Sequence, residues 1–374
     1  MNRIFLRPGS TTTMSQENGE NPKKGQIGLG NLGNTCYLNS VLQCLRHVAD
    51  LTVFFHKHSD SWIHEGDAKD AALCRAYKEL AEGLWSGNPP GYMRPAGFLQ
   101  IFRRALHGTM FEHMMVPQQH DGHEALMFLL DQLHEGMRRP LNINVMADPS
   151  SPVHGALTAW KEKVAPQYSP MVDYFFGLME VSVTCKGCGR VSCRYEPFNM
   201  LNVDFPNPKE ANLEACMDFT FTGEEIDEYQ CEKCSPDLPK DAPPGSQKAK
   251  RHPGLIQRRI WRLPQNLILV VKRFRFDGRG QSKCHANFSA DATQKFEKWF
   301  APASPEGSHH AEYTLQSVVD HHGSSNGGHY TAQVKSPITG IWNVYDDETV
   351  SQLMDGSIAR LGSMSYILFY RKSG

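Results

Sequence analysis

The sequence lacks the long apolar runs that mark membrane and secreted proteins. None of its apolar stretches approaches the roughly 18 residues that a membrane-spanning helix needs. Near the N-terminus only Ile4–Leu6 is apolar, which is too short for the core of a signal peptide. A mitochondrial presequence is disfavoured, because Glu17 and Glu20 soon follow Arg3 and Arg7. We therefore expect a protein of the cytoplasm or the nucleus that has no membrane partner.

The chain also lacks an excess of charge of either sign. Its 374 residues include 39 Lys and Arg against 40 Asp and Glu, which gives a formal net charge of −1. Nucleic-acid-binding domains are usually strongly basic, so we expect no nucleic-acid partner. Hydrophobic residues make up 40% and charged residues 21%, a balance typical of globular proteins with a substantial core.

Cysteine is too scarce for a disulfide scaffold, since the chain has only ten. In a reducing compartment such thiols serve as metal ligands, nucleophiles or buried side chains. Cys185 with Cys188, and Cys231 with Cys234, form two Cys-x-x-Cys pairs. Two such pairs suit a tetrahedral four-cysteine zinc site that is closed and therefore structural, with redox or idle thiols as the alternative. We predict one bound zinc ion.

Helical patterns come first along the chain and strand patterns later. Residues 1–26 are rich in small polar residues and predict a disordered tail. Apolar residues repeat at helical spacing after Cys36 and again from Asp121, whereas 138–170 has the composition of a surface loop. Strand-like runs follow, interrupted by a mobile insertion at Pro236–Gly254. This order predicts an α+β fold.

Two later strands bring a histidine toward an aspartate. Alternating runs flank the turn-like segment Ser336–Gly340. A hairpin centred between Pro337 and Ile338 would place His329 directly opposite Asp346, with Cβ atoms about 4.5–5.5 Å apart. An imidazole held by a carboxylate suits a general base, although a structural ion pair has the same pattern.

Cys36 is the candidate nucleophile. It precedes a helical pattern, and the field at a helix N-terminus favours the reactive thiolate. The polar run Gly33–Thr35 favours partial exposure over the alternative of a buried core cysteine. Asn31 lies on a glycine-flanked turn, where its amide either donates to an oxyanion or serves only the turn.

A glycine pattern beside this cysteine suggests a cofactor site that we reject. Gly28, Gly30 and Gly33 match the dinucleotide-binding fingerprint, which requires a strand immediately before it. The preceding residues 21–26 do not have the pattern of a strand. We therefore expect no organic cofactor.

The start of the second predicted helix has two interpretations. His120 and His123 are three residues apart and offer two metal ligands without convergent others, which is a weak signal. Asp121 and Glu124 fit a helix N-cap and its partner three residues later, so capping is their expected structural role.

Together these segments resemble the ubiquitin-specific protease family. The similarity is specific in the cysteine and histidine boxes and runs in order from Ile27 to Tyr370. The matching motifs are the cysteine box GLGNLGNTCYLNSVLQCL (Gly28–Leu45), the Gln-Asp-Glu box QQHDGHEALMFLLDQL (Gln118–Leu133), and the later strand and histidine boxes LPQNLILVVKRF (Leu263–Phe274), YTLQSVVDHHGSSNGGHYTAQVK (Tyr313–Lys335) and WNVYDDETV (Trp342–Val350).

The resemblance implies a papain-like, hand-shaped fold within one catalytic domain, 27–374. The helical thumb would span about 27–170, and the zinc-ribbon fingers that grip ubiquitin would lie within 177–262. An antiparallel β palm would form the remainder. The implied partners are ubiquitin and ubiquitinated proteins. We expect a monomer, and the sequence leaves open whether an activating partner exists.

The resemblance also implies a reaction, the thiol-dependent hydrolysis of the (iso)peptide bond after the C-terminal glycine of ubiquitin. Cys36 would attack the carbonyl and form an acyl-enzyme, and His329 would take and return the proton. Asp346 would orient His329, and Asn31 would help to bind the oxyanion. Asp347 falls beside the third triad member and would share its role.

Five residues fall where the family contacts the ubiquitin tail, whose arginines suit carboxylates. Gly328 would keep the tail channel narrow and Tyr330 would cover it. The other three are Gln119, Asp121 and Glu124.

The chain departs from the family pattern in two places, and other functions compete. Gly122 replaces the usual Ala or Val, and 282–302 lacks the typical Phe-Pro strand. An idle ubiquitin-binding module predicts a lost nucleophile or histidine, whereas both are present. Specificity for a ubiquitin-like modifier is the alternative that the sequence leaves open.

Overall fold

The computed structural model describes residues 24–373 except for several short stretches. These stretches are Asp67, 87–90, 235–250, Asp277, Arg279, 308–310, Asn326 and 355–358. The predicted disordered tail and the predicted insertion therefore lie mostly outside the described residues. The end of that tail was predicted wrongly, because the carbonyl of Gly25 accepts a hydrogen bond from the buried side chain of Arg46.

Helices dominate the first half of the chain. The described residues contain eight α-helices, and six of them pack their apolar faces into a common core with one face of the larger sheet. The helices are α1 Cys36–Leu45, α2 Ala49–Lys57, α3 Lys69–Trp85, α4 Ala96–Leu106, α5 Gly122–Glu135, α6 Pro152–Lys163, α7 Pro170–Phe175 and α8 Leu213–Thr220, with 3₁₀ turns at Ser59–Ser61, Glu112–Met115, Ala165–Gln167 and Glu297–Trp299.

Strands dominate the second half, so the predicted α+β order is confirmed. The strands are β1 Gly28–Leu29, β2 Tyr92–Met93, β3 Gly177–Cys185, β4 Val191–Phe198, β5 Leu201–Val203, β6 Glu210–Asn212, β7 Glu224–Tyr229, β8 His252–Arg262, β9 Asn266–Val271, β10 Phe274–Phe276, β11 Gln281–Lys283, β12 Asn287–Ser289, β13 Thr293–Lys295, β14 Glu312–Ser324, β15 Gly327–Lys335, β16 Trp342–Asp346, β17 Thr349–Gln352 and β18 Ser365–Lys372.

Two large sheets contain most of these strands, and the pairs β1-β2, β10-β11 and β6-β12 form three small ones. The larger has the order β17-β16-β15-β14-β18-β9-β5, with β13 paired to β14, and only the β5–β9 pairing is parallel. Its central strands are apolar on both faces, since Ile268 and Val270 face the helical core while Leu267 and Leu269 face a second core. The smaller sheet has the antiparallel order β4-β3-β8-β7. Helix α1 lies against β15 of the larger sheet.

The predicted surface loop at 138–170 was wrong in part, because α6 lies within it. Ser151 caps this helix by accepting from the backbone N–H of His154, and Pro152 occupies the first helical position. Both are standard helix-start signals, which the loop-like composition of the segment obscured. Trp160 buries its ring against Tyr195 and Trp261 and holds α6 to the smaller sheet.

The predicted register of the β15–β16 hairpin was wrong by two residues. Ala332 pairs with Tyr345 and Lys335 with Trp342, so the loop has four residues, 337–340, rather than a tight centre at Pro337 and Ile338. The backbone N–H of Ser336 closes it by donating to Ile341. Because side chains alternate with a period of two, a shift of two residues preserves which face each side chain occupies.

None of the helices in the described part of the chain has both the length and the apolar character that crossing a bilayer requires.

Candidate active site

Cys36 is the first residue of α1, where the glycine-rich turn meets the helix. The predicted partial exposure is wrong, because the residue is only 3% exposed. Its helix packs between α5 and β15, and the helix is buried along its whole length. The polar run before the helix signals a turn, but α1 enters the core as soon as it begins.

Burial raises the pKa of the Cys36 thiol, and the nearby carboxylate of Asp347 raises this pKa further. The backbone N–H of Tyr330 hydrogen-bonds to the sulfur and lowers the pKa, as do the N–H groups of the first helical turn. Desolvation is the largest of these effects, so the resting group is a thiol that needs a base. Tyr330 directly follows His329 in β15, so this contact brings the sulfur to the strand that carries the imidazole.

His329 and Asp346 meet at the ends of β15 and β16. The Nε2 atom of His329 lies 2.6 Å from Oδ1 of Asp346. Under the observed register the two residues are diagonal rather than directly opposite neighbours, and they share one face of the sheet. This hydrogen bond leaves Nδ1 of His329 as the nitrogen available for a proton from a thiol.

Asp347 has a different set of partners from Asp346. Its Oδ2 accepts from Nδ2 of Asn31 at 2.7 Å, and its Oδ1 accepts from Nδ2 of Asn39 at 2.7 Å. Asp347 occupies the tight turn between β16 and β17 with φ of +46°, a region that Asp tolerates better than most residues. The next residue, Glu348, accepts from the backbone N–H of Asn31.

Asn31 is therefore anchored on several sides. Its Oδ1 accepts from the backbone N–H groups of Gly33 and Thr35, which shapes the turn before Cys36. Its amide gives one N–H to Asp347, and a second N–H on the same nitrogen is left for another acceptor. Both roles predicted for Asn31, turn former and oxyanion donor, are compatible with this geometry.

Gln119 lies on the helical side of a cleft of about 310 Å³ and reaches the sheet side. Its Nε2 donates to the carbonyl of Gly328 at 2.7 Å, and its Oε1 accepts from the N–H of Gly328 at 2.7 Å. We call this pair of bonds the Gln119–Gly328 clasp. A side chain at position 328 is excluded, since a Cβ there would lie 2.1 Å from the carbonyl oxygen of His322.

Asp121 caps α5, as predicted, by accepting from the backbone N–H of His123. Its two oxygens also accept from the hydroxyl of Tyr366 at 2.9 Å. Burial raises its pKa to about 6, and these hydrogen bonds only partly oppose that effect. Glu124 does not reach back to the cap but lies 2.8 Å from Nε2 of His113.

Tyr330 lies on the inner side of the same cleft and is 5% exposed. A Cβ on Gly122 would lie 3.1 Å from its ring, so the departure at position 122 makes room for this tyrosine. The backbone N–H of Gly122 also hydrogen-bonds to the phenol oxygen. Gly122, although a weak helix former, thus has a packing role.

The four predicted zinc ligands come together at the ends of β3 and β7. Their sulfur atoms all lie within 4.8 Å of one another, with Cys185 to Cys234 at 3.9 Å and Cys188 to Cys231 at 3.6 Å. A tetrahedral zinc site with Zn–S bonds of about 2.3 Å has sulfurs about 3.8 Å apart. The spacing therefore fits such an ion.

His120 and His123 do not form a metal site among the described residues. Nε2 of His120 bonds to the carbonyl of Val116, and its ring lies against Tyr37. Residues that the sequence reasoning missed include Asn39 and Tyr366. They lie far in sequence from the groups that they hold, so no local pattern marks them.

The sequence pattern of the ubiquitin carboxyl-terminal hydrolase family matches residues 27–370. This chain belongs to the ubiquitin carboxyl-terminal hydrolase family. The predicted resemblance to ubiquitin-specific proteases is thus confirmed.

Several members of the family are similar over most of this chain. Human ubiquitin carboxyl-terminal hydrolase 2 is 30% identical over 379 residues, covering 97% of this chain and 58% of the relative. Chicken (Gallus gallus) ubiquitin carboxyl-terminal hydrolase 2 is 29% identical over 357 residues, covering 93% of each chain. The chain thus spans only somewhat more than half of the human relative.

A solved structure in the family has the same fold. It is the SAGA Ubp8/Sgf11/Sus1/Sgf73 DUB module bound to ubiquitin aldehyde, with a TM-score of 0.70 and 22% sequence identity. The match covers 94% of this chain and 70% of that chain. At this identity the likeness shows the fold alone, and it confirms the papain-like, hand-shaped α+β architecture.

Proposed function

We propose that this chain is a deubiquitinase that hydrolyses the (iso)peptide bond after the C-terminal glycine of ubiquitin. The observation that carries the proposal is the family match over residues 27–370, which includes both Cys36 and the His329–Asp346 pair. Nucleophilic acyl transfer needs a thiol, an imidazole and a carboxylate together. The contact of the Cys36 sulfur with the backbone N–H of Tyr330, the residue after His329, supports this arrangement.

In the first step Nδ1 of His329 takes the proton of the Cys36 thiol as the sulfur attacks the carbonyl carbon. Because burial raises the pKa of this thiol, proton transfer accompanies attack instead of preceding it. His329 then gives the proton to the leaving amine, and a thioester of ubiquitin remains on Cys36. In the second step His329 deprotonates a water, which attacks the thioester and regenerates the thiol.

Asp346 holds the imidazole so that Nδ1 stays available, and it stabilises the imidazolium that forms. Asn31 offers its second N–H to the oxyanion, together with the backbone N–H of Cys36 at the start of α1. Asp347 orients the Asn31 amide by accepting its first N–H. The two adjacent aspartates therefore serve different atoms of the reaction.

One structural zinc ion would be held by Cys185, Cys188, Cys231 and Cys234. The spacing of their sulfur atoms already suits such an ion. Such an ion ties the ends of β3 and β7 together and takes no part in the chemistry. We further propose that the protein acts as a monomer on ubiquitinated proteins in the cytoplasm or the nucleus.

The experiment that tests the function compares wild type with Cys36→Ala on ubiquitin carrying a C-terminal fluorogenic group. We expect the variant to lose about 10⁴–10⁶ in kcat while it still binds ubiquitin, as for other deletions of a nucleophile. The same assay with ubiquitin-like modifiers tests the competing specificity. Turnover by Cys36→Ala at the wild-type rate, or wild-type preference for another modifier, would contradict the proposal.

A further inference from the structure

The Gln119–Gly328 clasp spans the cleft from the helical side to the sheet side. Both bonds are short, at 2.7 Å, and one side chain satisfies both backbone groups of Gly328. Gln119 is exposed, whereas Tyr330 in the same cleft is buried. The clasp therefore lies on the solvent side of the cleft, and Tyr330 lies on its inner side.

The chemistry of the clasp is that of a peptide pair. A carboxamide presents one N–H donor and one C=O acceptor, and in an antiparallel sheet two residues exchange the same two bonds. Gln119 thus occupies the backbone groups of the residue that precedes His329. No other protein amino acid of this length offers both a donor and an acceptor, since Glu lacks the N–H.

The closed clasp across the cleft limits which substrates can enter. The tail of ubiquitin in a conjugate has folded ubiquitin at one end and a folded protein at the other. Such a segment cannot be threaded endwise beneath the closed clasp, whereas a tail that ends in a few atoms can. A conjugated tail can enter only from the solvent side, after the two bonds to Gly328 have broken.

Resting on the proposed function, we infer that Gln119 is a specificity-determining residue whose clasp on Gly328 must open to admit a conjugate. The open state is the one that binds, so its population multiplies the apparent affinity for conjugates. Ubiquitin with a small free end does not require that opening. The clasp therefore lowers the rate for conjugates relative to the rate for ubiquitin with a small C-terminal group.

The test compares two substrates on each variant. One is a diubiquitin that the wild type cleaves, and the other is ubiquitin propargylamide, whose free end is a few atoms and whose labelling of the cysteine is timed. For Gln119→Ala we expect the ratio of the diubiquitin rate to the labelling rate to rise by about three- to thirtyfold. This range is expected when a state held by two ordinary hydrogen bonds no longer has to open.

Two further variants sharpen the test. Gln119→Glu keeps the acceptor but places an anion against the carbonyl of Gly328, so we expect the same direction of change. Gln118→Ala, in the adjacent exposed glutamine, should leave the ratio unchanged. If Gln119→Ala and Gln119→Glu change both rates by the same factor, the inference is wrong and the proposed function stands. If the wild type acts on neither substrate, the proposed function itself fails.

Discussion

Two adjacent carboxylates at the site illustrate how a single residue acquires its role from its partners. Asp346 ends β16 and binds Nε2 of His329, whereas Asp347, whose carboxylate lies within 4.8 Å of both, binds the amides of Asn31 and Asn39. Both are aspartates in consecutive positions, so the sequence alone does not separate their functions. Asp347 has a positive φ, and its place in the tight turn lets its carboxylate reach the two amides.

In the proposed mechanism Asp347 is a positioning residue that acts through Asn31. We expect Asp347→Asn to lower kcat about ten- to a hundredfold with little change in KM, because the oxyanion donor loses its anchor only in the transition state. Steady-state kinetics on a ubiquitin reporter measure both parameters. Asp346→Asn serves as the comparison, since it should disturb the imidazole and so change the pH dependence of kcat/KM.

A double-mutant cycle distinguishes this role from an independent one. If Asp347 works through Asn31, the variant Asn31→Ala/Asp347→Asn should be about as slow as Asn31→Ala alone. Losses in kcat that multiply would show that the two residues act separately.

At the scale of elements, the cysteines of the proposed zinc site come from opposite parts of the smaller sheet. Cys185 ends β3, and Cys231 follows β7, so a metal would fix the ends of strands that β8 separates. We expect purified protein to contain one zinc per chain, and Cys231→Ser to lose the metal and lower the melting temperature. Elemental analysis and thermal unfolding measure the two effects.

The exposed Cys193 of β4 provides the matched control for this experiment, because it has no place in the cluster. Cys193→Ser should keep both the metal and the melting temperature. Active wild-type protein that contains no metal would overturn the zinc assignment.

The sequence predicts this molecule best where its information is local. The helix pattern after Cys36, the cap at Asp121 and the two Cys-x-x-Cys pairs all depend on neighbours within a few residues, and the structure has each of these features. The predicted register of β15 and β16 was wrong, because the sequence near Pro337 is compatible with both a tight turn and a four-residue loop. The predicted partial exposure of Cys36 was wrong as well, since the burial of a residue depends on elements that are distant in sequence.

At the scale of the whole molecule, a buried guanidinium joins segments that are far apart in sequence. Arg273 follows β9 and is fully buried over the ring of Phe205. Its donors reach four backbone carbonyls in two segments, 284–286 and 362–365, namely those of Cys284, Ala286, Gly362 and Ser365. Burial lowers its pKa to about 10, so it remains charged at neutral pH. No carboxylate hydrogen-bonds to it among the described residues, and the carbonyl dipoles take that place.

We expect Arg273→Met to destabilise the protein by at least about 3 kcal/mol, because a side chain of similar length would leave four carbonyls without their donor. Arg273→Lys should recover little, since one ammonium cannot reach two segments at once. Arg275→Met, on the exposed side of β10, should change stability by no more than about 0.5 kcal/mol. Chemical denaturation of the three variants measures these differences. Wild-type stability in Arg273→Lys would show that the charge alone holds the two segments, and that the fork of hydrogen bonds does not.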